Sequence, residues 1–426
     1  MLLRRRLAVL ALALALALGA VWLLRARAAR DAGLLAREDT FPPGRWHLAL
    51  DGLTAAGGRR AAEEAARALS LPYSAGGARA GGRSGVVFHD RARAEPGLNL
   101  YVSGHAPEAM LIDMEGRRLH RWRYPFARAF PGKRADEQSG YFRRARLLPD
   151  GSLLALYQGA GLVRLDRGSR LLRAYDAGFY NDLDVDDRGH LWGLTKEARL
   201  VPELNSKEPV LEDFLVELAP DGRPVRRVSL LRALRRSRFA PLLQPLPPAG
   251  DIFHSNSVEV LRDTAGAPPP FAPGRVLVSL RETDTVALVD PARGEVVWAR
   301  RGRWDSQHQP NLLPGGRLLL FDNRGYRGHS RVLELDLASG EIVWEFHGEP
   351  PARFSSPEAG SCQRLANGNT LITESERGRA FEVTPAGAVV WEFRSPHRAG
   401  RHGELVATLF EVVRLPPAAF VAASAP

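Results

Sequence analysis

Residues 290–298 read DPARGEVVW, residues 336–344 read DLASGEIVW and residues 384–391 read TPAGAVVW. Each stretch carries a turn into a β-branched run that ends on tryptophan, and Trp298, Trp344 and Trp391 stand 46 and 47 residues apart. That interval is the length of a propeller blade. Fainter copies of the same turn and strand lie upstream at 116–122 (GRRLHRW), 168–174 (GSRLLRA) and 222–228 (GRPVRRV), so six copies predict six blades. They accompany a second pattern, strand, glycine turn and strand, as in LLPDGSLLAL from Leu147, VDDRGHLWGL from Val185, LLPGGRLLLF from Leu312 and RLANGNTLIT from Arg364. Turn residues between apolar runs give antiparallel hairpins, and four-stranded units around an axis give an all-β, six-bladed β-propeller.

The blades occupy residues 86–420, and no second large domain fits in 426 residues. Ahead of them, residues 7–24 form an unbroken apolar run after Arg4, Arg5 and Arg6. Its 18 residues reach the lower limit for a bilayer crossing and exceed a usual signal-peptide core. Residues 1–30 are therefore expected as a signal anchor, an N-terminal transmembrane helix in the inner (cytoplasmic) membrane, with the propeller in the periplasm or outside the cell. Residues 31–85, with RRAAEEAARAL at 59–69 and a glycine-rich stretch at 76–85, are expected as a short helical stalk and linker.

Composition narrows the chemistry. With 45% hydrophobic and 25% charged residues the chain is an ordinary globular one. Cys362 is the only cysteine, which excludes an internal disulfide and any CxxC redox or zinc motif. The net charge of +11 is carried by arginine, as Lys133, Lys196 and Lys207 are the only lysines. Such a balance favours anionic ligands. It does not point to nucleic acid, since no basic stripe is interleaved with stacking aromatics. The acidic run Asp182, Asp184, Asp186 and Asp187 lacks the layout of a calcium loop, and neither a metal nor another cofactor is expected. The longer spacings between Lys196 and Phe214 and between Leu230 and Asp251 predict insertions on one face. These are expected to form a lid over the channel mouth.

In a propeller the innermost strands face the axis, so equivalent positions on them meet as a ring. Eight residues before the hairpin glycine stand Arg143, Asn181, His308 and Gly360, and the blade-four strand DIFHSNSVEV at 251–260 brings His254 to the corresponding end. Two histidines, an arginine and an asparagine are expected to share one polar well. Asn256, Gln307 and Asn323 flank it in sequence, Arg327 and Arg331 follow the His308 hairpin, and His105 precedes a strand of blade one.

The stretches GLNLYVSGHAPEAMLIDMEG from Gly97, DIFHSNSVEVL from Asp251, QHQPNLLPGGRLLLFDN from Gln307, SRVLELD from Ser330, QRLANGNTLITES from Gln363 and the near-terminal ATLFEVVRLPP resemble, in order, the arylsulfotransferase-like propeller family. The resemblance implies an enzyme that moves a sulfuryl group from an aryl sulfate ester to a phenol acceptor through a histidine intermediate, without a nucleotide donor. It implies His254, His308 and Arg331 as catalytic; Arg143, Asn181, Asn256, Gln307, Asn323, Arg327 and His105 are expected to bind substrate. Blade six reads Gly360, Ser361, Cys362 where the family's sulfated histidine is expected, so His308 or His254 is left as nucleophile. The alternative is a non-catalytic envelope propeller that binds an anionic ligand or a protein partner.

Overall fold

A computed structural model describes residues 76–79, 82–244, 246–247, 249–348, 354–399 and 404–420. The described strands form six antiparallel blades. Their inner strands are Leu409–Leu415 in blade one, Arg144–Leu147 in blade two, Tyr180–Val185 in blade three, Ser255–Val260 in blade four, His308–Leu313 in blade five and Ser361–Arg364 in blade six. These neighbour one another around the axis and close a ring. The all-β six-bladed propeller expected from the repeat is the fold of this chain.

Local chemistry explains the blades. Gly151 and Gly189, in the turns that defined the repeat, both have a φ of 78°, which an L side chain rarely adopts. Central strands such as Glu108–Ile112, Leu153–Tyr157, Val276–Leu280 and Thr370–Glu374 are buried along their whole length, because each blade is covered on both faces by its neighbours. The fourth strands, such as Arg118–Arg123, instead alternate towards solvent. Trp391, one of the repeat tryptophans, is wholly buried and donates from its indole to the Met114 carbonyl at 3.0 Å, joining blade six to blade one.

The two ends of the domain close the ring. The C-terminal strand supplies the inner edge of blade one by pairing with Leu98–Ser103, and Gly85–His89 adds a fifth, outermost strand to blade six by pairing with Val389–Arg394. Part of the expected linker, Gly76–Arg79, pairs with Leu405–Ala407. Among the described residues no helix is long and apolar enough to cross a membrane. The expected anchor at 7–24 and stalk helix at 59–69 lie outside the described residues.

The insertion after blade three does not stand over the channel as a lid. Its helix, Leu230–Arg235, buries Leu230, Leu231 and Leu234 against the third strand of blade three and the fourth strand of blade four. Arg301 of blade four fastens the following turn through the Leu242 and Gln244 carbonyls. Leu230, Leu231, Leu234 and Leu243 give this segment an apolar side, and it seeks the seam between two blades rather than the polar axis.

Candidate active site

The counting argument places its residues at one end of the axis. His308 opens the inner strand of blade five, Arg143 and His254 immediately precede those of blades two and four, and Asn181 is the second residue of blade three's. Bulges interrupt the inner strands of blades three, four and five at this level. Asn181, His254 and Gln309 take positive φ values of 64°, 44° and 45°. Bulges and left-handed residues re-aim side chains out of the regular alternation, and both cluster at functional sites.

His308 is completely buried. Its Nδ1 lies 3.0 Å from the Ser306 carbonyl and 2.8 Å from Asn323 Oδ1. The Asn323 amide nitrogen is committed as donor to the Ser356 and Ala359 carbonyls, at 2.5 and 2.9 Å, so its oxygen faces the imidazole. Two acceptors at Nδ1 require the proton there. Nε2 then carries the lone pair, and it is buried with no hydrogen-bond partner among the described residues. Burial holds the His308 pKa well below its ordinary value, and the charges of Arg281, Arg143 and His254 add to the effect.

His254 is anchored by Asp251, whose Oδ2 is 2.7 Å from its Nδ1 and whose Oδ1 accepts from its backbone N–H at 3.1 Å. The same Oδ2 accepts from Lys196 Nζ at 2.5 Å. Burial lowers the His254 pKa, with Lys196 next in effect, although Asp251 works the other way. Asp251 itself stays well below the usual carboxylate range; burial opposes this, and Lys196 and His254 override it. Asp213, held by Ser255, is pushed up to about 7 by burial.

Two guanidinium groups complete the well. Arg143 is fully buried and lies over the Phe410 ring at 4.7 Å. Arg281, in the turn after the second strand of blade four, pairs with Glu282 and, at 3.3 Å, with Glu358. Its charge bears on both histidines. Asp251, Lys196 and Arg281 were missed by the sequence reading. Asp251 had a visible signal, an acid three residues before a histidine at a strand start; Lys196 and Arg281 come from hairpins whose length the repeat does not set.

The amides tie blade to blade. Asn181 exchanges hydrogen bonds with Gln158 and donates to the Ser255 carbonyl at 2.6 Å, while Asn256 donates to the Gln307 carbonyl at 2.8 Å. The Gln307 amide donates to Ser279 Oγ and the Leu280 and Thr285 carbonyls. Asn256 Oδ1, Gln307 Oε1 and Gln309 Oε1 remain buried and without hydrogen-bond partners among the described residues. Gly360 has a steric reason to lack a side chain, since a Cβ there would meet the Phe321 ring at 2.5 Å.

Three expected residues are not brought to the well. Arg331 lies on the third strand of blade five, where its guanidinium binds Asp322 at 2.8 Å, Glu345 at 2.9 Å and the Arg303 carbonyl at 2.5 Å. Arg327 is exposed in the adjoining hairpin turn at a φ of 52°. His105, in a turn of blade one, stacks on His397 at 3.5 Å, bonds Ser103 Oγ at 2.6 Å and has its pKa lowered to about 4 by burial, then Arg123.

Below the well the axis is crossed by polar links. Gln309 of blade five donates to Glu411 of blade one at 2.7 Å, and Glu411 also pairs with Arg146 at 2.6 Å. Asp182 lies 3.3 Å from Arg144 and 3.4 Å from Arg146.

A six-bladed propeller with a buried axial well, two oriented imidazoles and buried guanidinium groups defines the class of this protein. The sequence model described as "Arylsulfotransferase (ASST)" matches residues 170–396, more than half of the chain. The chain belongs to the arylsulfotransferase family. No curated protein matches it. Among solved structures it is similar to a protein of unknown function from Bacteroides caccae, at 13% identity and a TM-score of 0.49, over 75% of this chain and 98% of that one. A streptogramin B lyase structure gives 13% identity and a TM-score of 0.43 over 82% and 96% of the two chains. Virginiamycin B lyase from Staphylococcus aureus gives 12% identity and a TM-score of 0.36 over 59% and 69%. At that identity and overlap these say nothing about the chemistry of this chain.

Proposed function

We propose that the chain transfers a sulfuryl group from an aryl sulfate ester to a phenol, with His308 as the nucleophile. The observation that carries this reading is the tautomer of His308. Two oxygens fix the proton on Nδ1, and Nε2 is left as a buried lone pair with no hydrogen-bond partner among the described residues. A neutral imidazole held this way is a ready nucleophile.

In the first half of the reaction Nε2 attacks sulfur. The N–S bond forms as the S–O bond to the aryl group breaks, and the electron pair leaves with the phenolate. Negative charge on the peripheral oxygens is stabilised by Arg281 and Arg143, which take the part that the resemblance gave to Arg331. In the second half an acceptor phenol gives its proton to His254, and Asp251 stabilises the resulting imidazolium. The acceptor oxygen bonds to sulfur, the N–S bond breaks, and His308 returns to its neutral form. The proton taken up by His254 replaces the one the first phenolate lacks. The basic-flanked apolar run at 7–24 supports a propeller held outside the inner membrane, where phenols and their esters are encountered.

Nitrophenolate release from 4-nitrophenyl sulfate tests the proposal. Sustained release, beyond one equivalent per chain, is expected only when a phenol acceptor is present, and both the first equivalent and the turnover are expected to vanish in His308→Ala. The bare position at Gly360 favours a second reading, in which the well binds an anionic ligand without turnover. Failure of every phenol acceptor, together with a melting shift from sulfated ligands that persists in His308→Ala, would establish that second reading.

A further inference from the structure

Blade three differs from the other blades by two additions. Its second and third strands, Leu191–Val201 and Asn205–Leu218, extend into a long hairpin, and the helix Leu230–Arg235 follows its fourth strand. In an up-and-down blade the second strand ends, and the fourth strand ends, where the first begins. The hairpin tip and the helix therefore lie at the same end of the propeller as His254 and His308.

Between them is a cavity of about 620 Å³, bordered by Arg199 and Glu203 of the hairpin, Glu212, and Arg232, Arg235 and Arg236 of the helix end. The three helix arginines follow an i, i+3, i+4 spacing and share one face. Glu212 is occupied within the fold, accepting from Ser229 Oγ at 2.5 Å and lying 3.2 Å from Arg199. Glu203, 60% exposed, approaches Arg235 at 3.8 Å. Four guanidinium groups face two carboxylates, so the wall carries two positive charges in excess. Burial lowers the Arg199 pKa, and the charges of Arg232 and Arg227 add to this, although Glu212 works the other way. Neither the hairpin nor the helix belongs to the blade repeat. Successive residues on a strand face opposite sides, and here Asp213 turns to Ser255 beside His254 while its neighbour Glu212 turns to the cavity.

We propose that this cavity binds the oxyanion of a phosphate or sulfate ester, at a position separate from the transfer well. Planar guanidinium forks suit such groups, which offer several oxygens for paired hydrogen bonds. A soluble ester and a lipid headgroup offer the same chemistry, and the test separates them.

The full chain, reconstituted in phosphatidylcholine vesicles, is treated with phenylglyoxal and the modified arginines are mapped by peptide mass. Inorganic phosphate, inorganic sulfate, or phosphatidic acid in the vesicle is added. Labelling of Arg232, Arg235 and Arg236 is expected to slow about tenfold, while the exposed Arg117 of blade one and Arg223, in the turn before the fourth strand of blade three at the opposite end from the cavity, label as before. Protection by the free ions assigns a soluble ester, and protection by phosphatidic acid alone assigns a lipid. The exposed change Arg236→Gln is expected to abolish protection of Arg232 and Arg235 and to leave nitrophenyl sulfate turnover unaltered. No protection by any of the three anions, equal protection of Arg117 and Arg223, or undiminished protection in Arg236→Gln overturns the proposal.

Discussion

The two levels of the propeller axis are built from similar polar residues and finish them differently. In the lower belt Arg144, Arg146, Asp182 and Glu411 pair as opposite charges, and although burial opposes it, Arg146 and Arg144 hold Glu411 down to about 2. In the upper well His308 Nε2, Asn256 Oδ1 and Gln307 Oε1 are equally buried and lack hydrogen-bond partners among the described residues. Buried polar atoms are nearly always paired within the fold. A level whose charges pair with one another holds the blades together, and a level whose imidazole and amides face no opposite charge is shaped for a molecule that comes from outside.

The largest effect that sharpens this contrast is expected from His308→Ala. Steady-state turnover of an aryl sulfate should fall on the order of a thousandfold or more. The chain should still fold, with a loss of about 2–4 kcal/mol from the cavity and from Asn323 Oδ1 losing its donor. A loss of folding in this variant would place His308 with the lower belt. The converse variant, Glu411→Ala, leaves Arg146 buried without its carboxylate and should cost about 3–5 kcal/mol in denaturant unfolding. A smaller cost than that of a surface change would show that the belt does not hold the ring.

Asp251→Asn keeps the shape of the His254 support and removes its charge. An expected fall of about a hundredfold in kcat, with KM little altered, would mark His254 as the proton acceptor. An unchanged kcat would reduce the pair to a structural link. Arg331→Gln is expected to do the opposite, costing about 1–3 kcal/mol by leaving Asp322 unpaired while turnover stays near that of the parent. The smallest effect concerns pH. Both His308 and His254 have pKa values lowered by burial, so as pH falls they protonate, and the nucleophile is lost, only below the ordinary imidazole value of 6.5. The acidic limb of kcat/KM should therefore lie below pH 6.5, and a limb at or above it would contradict the burial of the two imidazoles.

How much of this was legible depends on what the repeat controls. Tryptophan spacing and hairpin glycines are set by the blade itself, so they gave the blade count and placed His254, His308, Arg143 and Asn181 at one end of the axis. Side-chain direction was not legible, because bulges at Ser255 to Ser257 and His308 to Asn311 shift the register locally. Arg331 looked suitable beside the His308 hairpin, yet its strand lies two places from the axis and meets Asp322 and Glu345. Arg281 carries no sequence mark and acquires its position only when the turn after Leu280 folds over the end of blade four. The insertion after blade three showed its length but not its target, since its leucines find the seam between blades only once those blades exist.

The account turns on whether His308 becomes covalently sulfated. Acid-labile transfer should be trapped by mixing the chain with an aryl sulfate in the absence of acceptor, quenching in alkali and mapping the peptides by mass. One sulfuryl group per chain, on the peptide containing His308 and discharged by adding phenol, is the predicted result. Turnover with no sulfated peptide, or with the group on the His254 peptide, would contradict it.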